Sequence, residues 1–490
     1  MSKLRWLIMS FLVFSGGLFA SDQERSASAI PPNARRVSST EMPSVGVNDG
    51  KRKPPKRVFF SDERIEASKK IKYLIVLLQE NWSFDSLYGF FPGAHGIKHS
   101  TRKQRQQIDL NGIPFTNSVP VINLATGQPY PQIPTYLPNG PFDLQPYLPI
   151  DGLTGNLNHD FYYEQYQING GQMNSFATYS TAGGLAMSYY DIINTRMGEL
   201  TKQYVLCDNW FHSCYGGSMC GVLWLFAGRM PVWPNAPQSV VVQITPGNVD
   251  VVPGLVSLDG YAINDAQPFF KPYLAGVPAE LRVPPQHYKT IGDRLSAKGV
   301  SWKWYAQGWD AALAGHPAPT FAFHHQAPVY FPQYAPGTKG RAEHLFDLDN
   351  FYADLAKNQV PEVSFIRTLD EFSEHPGKGS LLEGLNFTVD IVEAIQASPI
   401  WEECAIIIAY DENGGRWDHV SPPVVDRFGP GARVPAIIIS PFAKKGHVDH
   451  TCYETVSILK FIEDRWGLRP LSSRDAAANN ILKAFDFDQE

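Results

Sequence analysis

Dense apolar runs at 71–78, 405–409 and 434–439 dominate the hydropathy pattern of the chain. Short runs of this kind, closed by polar residues, are the signature of strands buried on both faces of a parallel sheet. The first stops at Gln79-Glu80-Asn81, the second leads through Tyr410 into Asp411-Glu412-Asn413-Gly414-Gly415, and the third ends at Ser440-Pro441. Weaker strand patterns lie at 204–207, 301–305 and 363–368. Amphipathic helix spacing marks 288–298, 385–397 and 454–465, the last with Thr451 and Glu454 as a capping box. This alternation predicts an α/β fold with a mainly parallel central sheet and helices on both faces. Stretches rich in Pro and aromatics at 112–150 and 230–286 lack periodicity and are expected to be long ordered insertions lining a binding site.

The N-terminus adds a compartment. Lys3 and Arg5 precede an apolar stretch at 6–19, and the small Ala20 follows it, so 1–20 reads as a signal peptide. Residues 21–65 then form an exposed leader, 66–470 one catalytic domain with the two insertions, and 471–490 a C-terminal tail. No later run approaches membrane length, so the expectation is a soluble exported protein, secreted or periplasmic, of open oligomeric state. Lys and Arg total 42 against 48 Asp and Glu, a net charge of −6, and 43% of residues are hydrophobic. That balance argues against a disordered chain and against a non-specific nucleic-acid binder. Five cysteines (207, 214, 220, 404, 452) cannot all pair within one chain. Cys214 and Cys220 are near enough to close a small loop, and equally suited to be buried thiols.

In an open parallel sheet, ligands bind beyond the carboxyl ends of the strands. Glu80 with Asn81, and Asp411 with Glu412, stand there. Either pair alone suits a helix cap or an Arg partner, but three carboxylates meeting in one crevice repel unless a cation joins them. Tyr215-Gly216-Gly217-Ser218 precedes the apolar stretch 219–227, a glycine turn feeding a buried helix. A serine there lies in the positive field of the helix N-terminus, where N–H groups also hold phosphate oxygens; the plain alternative is an N-cap. The segment 216–220 also approximates a G-x-S-x-G nucleophile elbow with Cys220 as the last residue. Asp411 and His419 or His450 follow in the order of a metal-free serine esterase, which leaves Glu80, Asn81 and Glu412 without a role. His159, His324, His325 and His375 also fall in polar, loop-like settings. Protonated, such groups bind phosphate oxygens and protonate a leaving alkoxide, which favours mildly acidic pH. A surface-binding protein using its 11 Trp and 22 Tyr is the non-enzymatic alternative.

Seven motifs together resemble the bacterial phospholipase C and acid phosphatase family, within the alkaline phosphatase superfamily. They are Gln79-Glu80-Asn81-x-Ser83-Phe84-Asp85, Leu157-Asn158-His159-Asp160, Gly216-Gly217-Ser218, His324-His325-Gln326, Glu374-His375-Pro376-Gly377, the run from Tyr410 to Val420, and Val448-Asp449-His450-Thr451. The resemblance implies an alkaline-phosphatase-like α/β sandwich and one divalent metal ion, Zn, Mn, Mg or Ca, bound by Glu80, Asn81, Ser218, Asp411 and Glu412. It implies Ser218 as nucleophile, with Asn81, His159, His324, His325 and His375 around the phosphoryl group. The substrate is then a phosphate monoester or a phospholipid. The family more often has Arg where Trp82 stands. Its phospholipase members commonly have Thr in a different turn in place of Gly-Gly-Ser, so the acid phosphatase branch is the nearer likeness.

Overall fold

The computed structural model describes residues 54–116, 119–123, 128–134, 137–244, 251–252 and 254–489. The expected signal peptide and most of the leader lie outside these residues. At its centre is an eight-stranded sheet built from Tyr73–Gln79 (β1), Val205–Cys207 (β2), Trp302–Ala306 (β3), Leu345–Asp347 (β4), Val363–Arg367 (β5), Cys404–Tyr410 (β6), Ala436–Ile439 (β7) and His447–Asp449 (β8). The strand order is β4-β3-β5-β1-β6-β7-β2-β8. All neighbours are parallel except at β7, which runs antiparallel to both β6 and β2. The third apolar run therefore ends at the far side of the sheet, and it is its beginning, at Arg433, that meets the ends of β1 and β6.

Five helices matter for the site: Phe161–Ile168 (α1), Ser218–Ala227 (α2), Ile291–Lys298 (α3), Leu381–Gln396 (α4) and Val456–Trp466 (α5). Side chains alternate across a strand, so Val76 and Gln79 point to opposite faces of β1. Val76 pairs with Phe365, and Phe365 and Trp304 pack on Phe226 of α2. Gln79 donates instead to Thr388 of α4. Helices thus cover both faces. The same alternation places Glu80, Asp411 and Arg367 on the face of α2, because Leu78 and Glu80 share parity and Gln79 is in register with Tyr410. Every residue of α2 is buried, so this helix is a pillar of the core rather than a surface element.

The expected helix starts shift for identifiable reasons. Thr290 caps α3 with Asp293 in a full capping box, and Ser380 caps α4 five residues before the predicted start. The predicted box of Thr451 and Glu454 does not form. Glu454 lies in a two-residue strand beside Phe211, and its carboxylate pairs with Arg474 at 2.7 Å. The N-terminus of α5 is satisfied from across the fold, with Val456 N donating to Ser213 Oγ at 3.0 Å. All five cysteines are free thiols, so the Cys214–Cys220 loop does not close. Residues 471–489, set apart as a tail by sequence, bury Ile481, Leu482, Phe485 and Phe487 in the core.

One core contact sets a pH dependence. Leu471 N donates to both Glu463 of α5 (3.3 Å) and Asp475 (2.6 Å). Burial, together with the neighbouring Asp475 carboxylate, pushes the Glu463 carboxyl up to about 9 from 4.5. The folded chain therefore holds a proton that the unfolded chain releases. The contribution is intact below about pH 4.5 and is lost as pH rises toward 9. Glu463→Gln keeps the acceptor for Leu471 and removes the proton requirement. The expected result is a higher unfolding midpoint at pH 8, no gain at pH 4, and a flatter stability profile between them in thermal melts.

Candidate active site and metal centre

The carboxyl ends of the three adjacent strands β5, β1 and β6 deliver the acidic groups. Glu80, Asn81, Asp411 and Glu412 are all fully buried. Asn81 holds a left-handed backbone, φ 64°, which bends the chain sharply off β1. The loop after β6 is packed against that bend: a Cβ on Gly414 meets Asn81 O at 2.3 Å, and one on Gly415 meets Asn158 O at 2.4 Å. Both glycines also have positive φ, so the pair locks Asn81, Glu412 and the residue before His159 into one layer.

The buried charges are only partly compensated. Arg367, at the end of β5, donates to Glu80 and lies 3.8 Å from Asp411, and His325 Nδ1 is 2.8 Å from Glu80. Burial works against ionisation of Glu80, but His325 and Arg367 prevail and hold its carboxyl well below the usual range. Asp411 and Glu412 go the other way, pushed up by burial and by the neighbouring carboxylates. Asp411 Oδ2, Glu412 Oε1 and Asn81 Oδ1 are buried without a hydrogen-bond partner. Ligand atoms of Glu80, His325 and Asp411 lie within 4.8 Å of one another. Unsatisfied, converging oxygens of this kind fit a divalent cation.

Ser218 is the first residue of α2, and its hydroxyl donates to Glu80 Oε2 at 3.3 Å. The N-cap is Gly217, so Ser218 does not serve as the cap. α2 reaches this close to β6 because Gly221 has no side chain: a Cβ there meets Asp411 O at 2.7 Å. Asp265, from the second insertion, occupies the helix N-terminus and accepts from Met219 N at 2.8 Å. Burial would raise its carboxyl, yet His324, His159 and the Met219 N–H keep it below the ordinary range. The N–H group expected to hold phosphate is thus taken by a carboxylate that no sequence pattern marks.

All four predicted histidines reach the site. His159 Nδ1 is 2.6 Å from Leu157 O and His375 Nδ1 is 2.8 Å from Pro376 O. Backbone acceptors fix these tautomers and leave the Nε2 atoms turned inward, His159 toward Glu412 at 3.6 Å and His375 toward Asn81 at 3.4 Å. His324 lies 3.6 Å from Asp265. The side chains of His159 and His324 are 12% and 23% exposed against 2% for His325, so they mark the mouth. Burial pulls His325 down to about 3 and lowers His375 as well.

The two histidines of the serine-esterase alternative lie elsewhere. His419 Nδ1 pairs with Asp85 at 2.6 Å, and Arg433 bridges Asp85 (3.1 Å) and Asp418 (2.9 Å). His450 pairs with Asp208 at 2.7 Å. Among the described residues neither bonds Ser218, so no triad forms. Asp85, Asp418 and His419 also converge within 4.8 Å, but a guanidinium already stands among them. Trp82 is buried, donates to Glu374 O at 2.9 Å and lies under the Arg416 guanidinium at 3.8 Å, so the polar position is filled by stacking. Sequence reasoning missed Arg367, Asp265 and Asp370, whose carboxylate lies 3.6 Å from His325 Nδ1. Arg367 closes the strand pattern 363–368, where a charged residue ending an apolar run was the available signal.

The Phosphoesterase family model matches residues 71–469. Among curated proteins, a non-hemolytic phospholipase C of Pseudomonas aeruginosa is 24% identical over 86% of this chain and 58% of its own length. Phospholipase C A of Mycobacterium tuberculosis is 26% identical over 85% of this chain and 77% of its own. The chain therefore spans less than two thirds of the Pseudomonas relative and about three quarters of the mycobacterial one. A solved structure of an alkaline phosphatase superfamily protein from Vibrio parahaemolyticus is similar over 69% of this chain and 73% of that one, at 12% identity and a TM-score of 0.33. With the family match running from the start of β1 to beyond α5, the chain belongs to the phosphoesterase family.

Proposed function

We propose that this protein is an exported, metal-dependent phosphoric-ester hydrolase that works through a phosphoserine at Ser218. The observation that carries the reading is the meeting of a helix-start serine with three buried carboxylates, two of which, Asp411 and Glu412, each keep an oxygen without a partner. Glu80, Asn81, Ser218, Asp411 and Glu412 would hold the cation, which supplies a Lewis acid for phosphoryl oxygens. Ser218 reacts as its alkoxide, the hydroxyl proton having been released to water, and its Oγ bonds to phosphorus as the bond to the leaving oxygen breaks. His159 and His324, at the mouth, are placed to give the departing oxygen its proton. Asn81 and His375 face the phosphoryl group, and His325 braces Glu80. Water then cleaves the phosphoserine, with a mouth histidine as base. Export is supported by the charged and apolar pattern of residues 1–20.

On sequence likeness the substrate is a phosphomonoester, with the enzyme a broad acid phosphatase. The phospholipase C names of the curated relatives favour release of a phosphorylated head group from a phospholipid. Comparing inorganic phosphate release from small monoesters with phosphocholine release from lipid separates the two.

Ser218→Ala is expected to fold, since the cap lies at Gly217, and to lose turnover by at least about a thousandfold. Acid quenching of wild type during turnover should trap phosphate on the peptide holding Ser218, and phosphate transfer to alcohols should retain configuration at phosphorus. Inversion points instead to direct attack by water. Metal dependence is read by calorimetry with zinc, manganese, magnesium and calcium. Asp411→Asn should abolish the tight site, and Gly221→Ala, which forces Asp411 away from α2, should weaken it and cost about 1–3 kcal/mol of stability. Full activity in protein stripped of metal by chelation overturns the mechanism.

A further inference from the structure

The face of the molecule around residues 98–114 carries charge and apolar surface that the site does not use. Between Lys98 and Arg105 stand four Lys or Arg residues and no acid, in a chain whose net charge is −6. Lys98, Arg102 and Lys103 are exposed, and among the described residues none of the four makes an ion pair. The next turn of chain is a tight hairpin. Asp109 N donates to Ile113 O at 2.8 Å, and the Asp109 carboxylate accepts from Asn111 N and Ile113 N, both at 2.8 Å. The turn thus satisfies its own polar groups and directs Leu110 (62% exposed) and Ile113 (60%) outward. Basic residues within a few positions of two exposed apolar side chains at a self-satisfied tip complement an anionic lipid surface, which offers headgroup charge and an apolar layer together. A nucleic acid matches the charge and leaves the apolar pair unexplained.

This face is tied to the catalytic layer. Gln104, in the basic helix Arg102–Arg105, donates to His419 O at 2.7 Å. Ile108 N donates to Asn174 O at 2.9 Å, and the same segment reaches Asn158, which donates to Tyr179 O at 3.0 Å beside His159. We propose that Lys98, Arg102, Lys103 and Arg105 with Leu110 and Ile113 form a docking face for membranes rich in anionic phospholipid. This inference deepens the phosphoester reading toward lipid substrates and rests on it.

The test is cosedimentation of the mature protein with vesicles of phosphatidylcholine alone or with about 30% phosphatidylglycerol, at low and at 0.5 M salt, roughly a 3 Å screening length or somewhat longer at the upper end. Wild type should bind the anionic vesicles and release at high salt. Each basic residue near such a surface contributes about fivefold in partition. Arg102→Glu with Lys103→Glu should therefore weaken binding at least about twentyfold. Leu110→Ser with Ile113→Ser should weaken it about tenfold and leave the salt dependence in place. Both variants should turn over a small soluble monoester as wild type does, and Ser218→Ala should bind vesicles as wild type does. Absence of vesicle binding by wild type, unchanged binding by both double variants, or equal binding to RNA overturns the docking face. Vesicle binding by a wild type without phosphoesterase activity overturns the proposed function and leaves the docking face standing.

Discussion

Burying three carboxylates in one crevice is the constraint from which the rest of this architecture follows. In a low-dielectric interior such groups either hold protons or need positive charge beside them. The fold answers with Arg367 on the neighbouring strand, with His325 against Glu80, and with oxygens left open for a cation. Every close approach nearby serves that arrangement. The Gly414 and Gly415 backbones press on Asn81 and Asn158, and Gly221 lets a fully buried helix touch Asp411. A glycine-tight frame costs conformational entropy, and the return is a set of buried oxygens and a serine hydroxyl held in fixed positions.

The parts of this frame that obey periodicity were legible in the chain. The runs 71–78 and 405–409 mark β1 and β6 because both strands are buried on both faces, and the polar residues that end them are the site. Ser218 stood out because a glycine turn precedes the apolar stretch 219–227, and only the fold shows that Gly217 rather than Ser218 is the cap. What periodicity does not encode is pairing direction. The run 434–439 looks like its neighbours yet runs against them, since a strand buried among others reads the same either way. Long-range caps were illegible for a related reason: Ser213 serves α5 from more than 240 positions away, while the local Thr451 and Glu454 pattern is drawn off by Asp449 and by Arg474. The site histidines were visible as residues, and their protonation was not, because burial is a property of the folded molecule.

Asp265 shows the same limit inside the site. It comes from an insertion with little regular structure, yet it occupies the N-terminus of α2 and faces His324. Neither spacing nor composition singles out one aspartate among many in loops. The second ionic network, Asp85, Asp418 and Arg433 with His419, has the opposite character. Asp85, Asp418 and His419 sit within legible motifs while Arg433 does not, and only the fold shows that the four brace the loops after β1 and β6 rather than join the crevice.

The depth of α2 carries a consequence for how such a molecule diversifies. Ser218, mounted on a helix with no exposed residue, cannot be re-aimed without repacking the core, so it is the least adjustable component. The insertions are anchored in the core by Leu144, Val256 and Ile263, but their exposed positions carry none of that packing. Substitutions there can trade one substrate for another while the reacting group stays where it is. Turnover and recognition are in this sense separately heritable, and a chain of this design changes its diet more readily than its chemistry.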